Sequence, residues 1–191
     1  EPQFPTERLA EAIPGNGLIV QFSGPVGVGK GELSKRLLAA IKGSELLVTC
    51  TTRLPEANEV HGRDYWFLTD EEFDGHHSAG RFVETNTFAN GRRYGTLFDI
   101  VYEQMERGGL IISDINVHGA TKMREESHRL PGKILDIFVM PPGGSLDEQL
   151  AECERRAKAG RPRDGLEDRL RELEGPPQRS QGSFLGGRLG G

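Results

Sequence analysis

The stretch Leu18-Ile19-Val20-Gln21-Phe22-Ser23-Gly24-Pro25-Val26-Gly27-Val28-Gly29-Lys30 runs from a short apolar segment into a glycine-spaced turn that ends in a lysine. Residues 18–23 have the composition of a buried strand, and residues 31–41 set Leu33, Leu37, Leu38 and Ile41 on one helical face. A phosphate chain needs many donors in a small space. Glycines between a strand and a helix let backbone N–H groups converge on it, and the helix N-terminus adds positive potential. Gly24, Pro25, Val26, Gly27, Val28, Gly29, Lys30, Gly31 and Glu32 are therefore the expected cradle for ATP or another nucleoside triphosphate, with Lys30 on the β/γ-phosphates. The plainer alternative is a turn that merely links strand to helix. A hydroxyl for Mg²⁺ commonly follows the lysine, but here Gly31 and Glu32 follow, and Glu32 stands either as a metal ligand or as a carboxylate that repels the triphosphate.

Outward from this turn, short apolar runs alternate with amphipathic segments, the pattern of a parallel sheet with crossover helices. Core strands are expected at 18–23, 46–49, 110–115 and 134–140, and helices at 31–41, 97–107 and 117–127. Residues 50–96 break the rhythm with polar loops and aromatic pieces such as Tyr65-Trp66-Phe67-Leu68, and read as an inserted lobe. Within it Thr69-Asp70-Glu71-Glu72 has capping-box spacing, which predicts a short helix through Phe73. A Pro-Pro-Gly-Gly turn at 141–144 leads into a charged helix over 146–159, and a turn at 160–165 precedes a further helix at 166–173. Residues 1–175 form the expected domain, and 176–191, with Pro176-Pro177 and several glycines, read as a flexible tail.

The 191 residues carry 24 Lys+Arg against 29 Asp+Glu, a net charge of −5, which gives nucleic acid no general electrostatic attraction. The apolar runs are far shorter than the ~20 residues of a membrane span, and the two cysteines, Cys50 and Cys153, lack metal-ligand spacing. A soluble, cytoplasmic protein with neither nucleic-acid nor membrane partners is expected.

The lobe supplies a second set of motifs: Thr51-Thr52-Arg53, Glu59-Val60-His61-Gly62-Arg63-Asp64-Tyr65-Trp66-Phe67, Phe82-Val83-Glu84 and Tyr94-Gly95-Thr96. In order and spacing these, with the phosphate loop, resemble the guanylate kinase family from about Gly17 to Leu170. The resemblance implies an α/β P-loop NTPase fold, a doubly wound parallel sheet with an inserted mixed GMP-binding lobe (about 50–96) and a helical lid (about 155–170). It also implies Mg²⁺-dependent transfer of the ATP γ-phosphoryl group to GMP. A guanidinium and two phenols suit a monophosphate, so the resemblance makes Arg53, Tyr65 and Tyr94 the GMP phosphate clamp, with Thr49 and Gly95 nearby. It assigns guanine N1–H and the exocyclic amine to Glu84, with Thr96 on the base rim. Asp114-Ile115-Asn116 falls on the family's Asp-Ile-Asp, which places Asp114 near magnesium and makes Asn116 a substituted guanine contact. Arg161 and Arg169 match the lid arginines that close on the transferring phosphoryl, and Arg156 lies close by in register.

The chain departs from the family in three places. Glu56 stands where a second arginine follows Thr-Thr-Arg, which weakens the expected hold on the monophosphate and leaves Arg92 or Arg93 as a compensating cation. The loop at 89–93 is about one residue longer than the family's, a change surfaces tolerate. After the lid the family continues into another core strand, whereas this chain enters Pro176-Pro177, so an open sheet edge that a protein partner could cover is expected. These departures keep two other readings in view: a noncatalytic guanylate-kinase-like module that binds a phosphorylated protein, and a P-loop kinase for another acceptor. On plainer terms Tyr65 and Tyr94 are half-buried core aromatics, and His61, His76 and His77 are solvated.

Overall fold

Four strands in parallel form the central sheet of the computed structural model, which describes residues 15–88, 90–160 and Leu170. Strand β1 (Leu18–Ser23) lies between β7 (Leu110–Asp114) and β8 (Lys133–Phe138), and β2 (Glu45–Leu46) lies outside β7. Leu18 is opposite Leu110 and Lys133, and the register holds along β1 as far as Phe22 opposite Asp114 and Ile137. Alternation of side chains across the strands then builds two apolar layers. On one face Ile19 and Ile111 pack with Phe98, Val101 and Met105 of α3 (Phe98–Glu106) and Met123 of α4 (Val117–Glu125). On the other, Val20, Phe22, Leu110 and Ile112 pack with Leu37, Leu38 and Ile41, the first two on α1 (Lys30–Ala40) and the third at its C-terminal cap. The sheet is thus doubly wound.

Residues 46–49, expected as one strand, divide between two sheets. Leu46 ends β2, Leu47 N–H donates to the Ile112 carbonyl at 2.8 Å, and the chain then crosses into β3 (Thr49–Thr51). The buried amide of Gln104 on α3 sits at the crossing. Its Oε1 accepts from Val48 N–H at 3.1 Å, and its Nε2 donates to the Leu46 carbonyl at 2.8 Å. The backbone groups that leave one ladder before joining the next are thereby satisfied.

The second sheet has the order β4-β3-β6-β5, where β4 is Tyr65–Phe67, β5 is Phe82–Thr87 and β6 is Arg93–Leu97. It is mixed: β3 pairs parallel with β4 and antiparallel with β6, and β5 with β6 antiparallel. The helix α2 (Asp70–Ser78) begins at Thr69 with both bonds of the capping box in place. Arg93 pins α2 to this sheet through Asp70 and Asp74, with its guanidinium over the Phe73 ring. It is therefore committed to α2 rather than turned to a substrate phosphate in place of the residue at 56.

The last described helix, α5 (Leu146–Ala159), is capped by Ser145 and Glu148 and supports the phosphate loop. Gly27 lies at φ +82°, and a Cβ there would come within 2.1 Å of the Cys153 carbonyl oxygen, so the loop backbone rests directly on α5. Val26 joins Ala157 and Leu170 in a small apolar cluster. Arg161 and Arg169, most of the lid, the helix over 166–173 and the tail over 176–191 lie outside the described residues. Among the described residues β8 is an outer strand with Leu135, Ile137 and Phe138 exposed, and no helix is long and apolar enough to cross a membrane.

Candidate active site

The end of β1, the N-terminus of α1, the end of β7 and the inner face of the second sheet enclose one cleft. Gly24, Val26, Lys30, Thr49, Tyr65, Glu84, Asn86, Phe88, Tyr94, Gly95 and the run Ser113 to Asn116 line it. The placement follows from topology. Side chains and loops at the carboxyl ends of parallel strands face the crevice beyond the sheet, where the phosphate turn opens into α1.

Within the loop, Gly24 lies where a Cβ would be 2.3 Å from the Val139 carbonyl oxygen, so the chain can pass the end of β8 only without a side chain. Gly29, at φ +105°, caps α1, and its carbonyl accepts from Glu32 and Leu33 N–H. Lys30 Nζ donates to the carbonyls of Gly24 and Pro25 at 2.8 and 3.1 Å, which holds the ammonium over the loop. Pro25 also accepts from Val28 N–H, and Val28 itself is buried. Gly31 faces Asp114: a Cβ there would be 3.4 Å from Asp114 Oδ2. Glu32 lies on the outer side of α1, paired with Arg36 at 2.9 Å, and that bond holds its carboxyl below the usual range. The structure thus separates the two acidic candidates. Asp114 stands in the cleft beside the cradle, and Glu32 points to Arg36.

Opposite the loop, Tyr65, Tyr94 and Phe88 form an aromatic wall, with Tyr65 and Phe88 each edge-on to Tyr94 at 6.0 and 5.3 Å between centroids. Arg53 lies behind this wall rather than along the cleft lining. Its two terminal nitrogens each bond a carboxyl oxygen of Glu59 at 2.6 Å, and its guanidinium lies 4.9 Å from the Tyr65 ring centroid. Pairing with Glu59, opposed by burial and assisted by a hydrogen bond with Tyr94, raises the Arg53 pKa, and the same pair lowers that of Glu59. Glu59 also accepts from the backbone N–H of Glu56, whose residue is exposed. The monophosphate clamp expected from sequence is therefore one connected group, Arg53 with Tyr65 and Tyr94, braced by a carboxylate. Glu59 falls within the motif at 59–67, whose pattern carries no signal for that brace.

Glu84, on β5, lines the cleft. Thr96, expected on the base rim, is fully buried behind it and donates from Oγ1 to Glu84 Oε1 at 2.7 Å. Burial pushes the Glu84 carboxyl up, against the Thr96 bond and the charge of His118. Cys50 beneath is driven up to about 12, by burial first and by Glu84 second. Asn116 lines the cleft and also caps α4, with Oδ1 accepting from Gly119 N–H at 2.7 Å. Sequence could have flagged that cap, since asparagine before a helix favours it. It could also have flagged Asn86, two residues from Glu84 on one strand face. Phe88, Ser113 and Ile115 carry no such signal. Arg156 bonds Glu152 at 2.6 Å on α5.

Residues 17–161 match the family model described as guanylate kinase. The chain is 34% identical over 158 residues to a guanylate kinase of Bifidobacterium longum, covering 83% of this chain and 77% of the relative. It is 39% identical over 134 residues to that of Rhodopirellula baltica, covering 69% and 62%. Another, from Granulibacter bethesdensis, is 37% identical, with 75% of this chain and 64% of the relative covered, so the chain spans roughly two thirds to three quarters of these relatives. Among solved structures, the crystal structure of guanylate kinase from Anaplasma phagocytophilum superposes with a TM-score of 0.54 at 26% identity, covering 83% of this chain and 72% of that one.

Proposed function

The chain belongs to the guanylate kinase family, and on that premise we propose that it transfers the γ-phosphoryl group of ATP to GMP, giving ADP and GDP. One observation supports the reading: a single cleft joins the phosphate loop, at Gly24, Val26 and Lys30, to a lobe that presents Tyr65, Tyr94 and Glu84. The phosphate cradle retains every loop glycine and Lys30, so the noncatalytic module is not favoured.

Catalysis of phosphoryl transfer is mostly positioning and charge neutralisation. The backbone N–H groups of residues 26–30 and the α1 N-terminus bind the ATP phosphates. Lys30 exchanges its loop carbonyls for β/γ oxygens, which costs little because both partners are hydrogen-bond acceptors. Tyr65 and Tyr94 donate to the GMP phosphate from the cleft wall. Arg53 adds charge from behind, and Glu59 fixes its guanidinium so that the phosphate meets a preset donor. Thr49 and Gly95 complete that side. Glu84, as a carboxylate, accepts guanine N1–H and the exocyclic N–H, with Thr96 fixing its rotamer. Adenine has no matching donor pair. Asn116 Oδ1 is engaged at the α4 cap, so its part in base recognition passes through the amide nitrogen, opposite in polarity to a carboxylate.

Magnesium fits the donor set through Asp114, a hard oxygen ligand beside the cradle at Gly31. When bound with ATP it would offset charge on the phosphate oxygens. Arg161 and Arg169 are the residues proposed to approach the transferring group from the lid. A cytoplasmic setting is part of the same proposal.

The test is ADP release from ATP and Mg²⁺ with GMP, dGMP, AMP, CMP or UMP as acceptor. Turnover with GMP that drops by about 10³-fold or more in Lys30→Ala supports the kinase. Folded protein that turns over none of the five acceptors refutes it.

A further inference from the structure

Asn86 lines the cleft on β5, two residues from Glu84 and on the same face of the strand. Opposite it on β6 stands Tyr94, as Thr96 stands opposite Glu84. Along this wall the order is Glu84, Asn86 and then Phe88, so Asn86 lies between the carboxylate and the edge-on pair of Phe88 and Tyr94. It is half-buried, and its amide makes no side-chain hydrogen bond among the described residues. We propose that Asn86 is a specificity-determining residue that donates from Nδ2 to guanine O6 while Glu84 accepts from N1–H and the exocyclic amine. The inference rests on the guanine contact proposed above.

The need for such a donor follows from the chemistry of the base. Next to its two donors guanine carries the O6 carbonyl, an acceptor, and a carboxylate has no hydrogen to give it. A carbonyl taken out of water without a partner weakens binding. Thr96 does not supply the hydrogen, because its hydroxyl is fully buried and donates to Glu84 Oε1 at 2.7 Å. Tyr65 and Tyr94 serve the monophosphate in the same reading, and Lys30 lies over the phosphate loop. Asn116, the other amide in the cleft, comes from the end of β7, with its Oδ1 held by Gly119 N–H at the α4 cap.

An amide offers both polarities, so its orientation decides what it reads. Residues two apart on a strand are about 6.7 Å apart, near enough for the Glu84 carboxylate to draw the amide nitrogen toward itself and turn the oxygen away. The donor then lies on the side where O6 adjoins N1–H. Adenine has an amino group in place of O6 and a bare nitrogen at N1, so donor would meet donor at Asn86 and acceptor would meet acceptor at Glu84. Two mismatches exclude AMP where Glu84 alone provides one.

The experiment measures kcat/KM for GMP, dGMP, AMP and 6-thio-GMP, in which sulfur, a weak acceptor, replaces O6. The proteins are the wild-type chain, Asn86→Ala, Asn86→Asp and Asn116→Ala. The wild type is expected to favour GMP over 6-thio-GMP by about three- to ten-fold, the weight of one neutral hydrogen bond. In Asn86→Ala the value for GMP falls by that factor, 6-thio-GMP changes little and the preference disappears, while KM for ATP stays as in the wild type. Asn86→Asp, which puts an acceptor in the same shape, lowers GMP further and narrows the gap between GMP and AMP. Asn116→Ala keeps the wild-type preference. A wild-type chain that uses GMP and 6-thio-GMP equally, an Asn86→Ala loss equal for the two, or a preference that disappears in Asn116→Ala instead overturns the proposal and leaves the kinase reading intact. A loss in Asn86→Ala seen with GMP but not with dGMP also overturns it, since the amide would then read the sugar. A wild-type chain without GMP-dependent turnover overturns both.

Discussion

Glu84 shows how one side chain serves binding at the expense of stability. Burial raises its pKa in the folded chain, so the ionised form needed for guanine is the form the fold disfavours. A raised carboxyl contributes stability below its ordinary value of 4.5 and loses it as pH rises through the folded value. Glu84→Gln keeps an oxygen that accepts from Thr96 and carries no charge to desolvate. Its melting temperature is therefore expected above wild type at pH 7, with the gap closing as the pH falls toward 4.5 and below. Its KM for GMP is expected to rise about ten- to hundred-fold, the loss of a charged hydrogen bond. A melting curve and a GMP titration of the same protein check both halves, and a variant less stable than wild type at pH 7 would contradict the first.

Two helices support the elements that carry the cleft, α5 under the phosphate loop and α2 pinned to the second sheet, each fixed by local chemistry visible in its residues. Thr69 and Glu72 close a capping box on α2, and Ser145 and Glu148 close another on α5. Thr69→Ala should cost about 1 kcal/mol, read from a denaturant titration, with the cost falling on the lobe. The contact between α5 and the phosphate loop depends on an absence of side chain. Gly27→Ala would place a methyl 2.1 Å from the Cys153 carbonyl at a φ of +82°, so the loop, α5 or both must move. The expected outcome is a rise in KM for ATP of at least about ten-fold with a smaller change in KM for GMP, since the displaced backbone carries the phosphate donors. Equal KM values for ATP in wild type and variant would show that the loop does not rest on the helix as described.

Gln104 governs how the two sheets meet. It is buried on α3 and satisfies the backbone at Leu46 and Val48 as the chain crosses from the central sheet into the lobe. Gln104→Ala leaves a donor and an acceptor without those bonds, at a cost of about 1–3 kcal/mol each where water cannot reach them. A lower midpoint in urea is expected, together with a KM for GMP that rises more than that for ATP, because the crossing sets the lobe and leaves the loop in place. The phosphate loop, α1 and the capping box at Thr69 were legible in the sequence because short-range rules decide them: glycine spacing, helical periodicity, and a threonine three residues before a glutamate. That Tyr65, Tyr94 and Glu84 should share a site was an expectation from the family resemblance of their motifs, and they line one cleft, with Arg53 beside it. The split at 46–49, Thr96 behind Glu84, Arg93 on α2 and Glu59 bracing Arg53 were decided by tertiary structure. Each depends on which residues distant in sequence come to lie together, and a strand of apolar residues has the same composition whether it closes one sheet or divides between two.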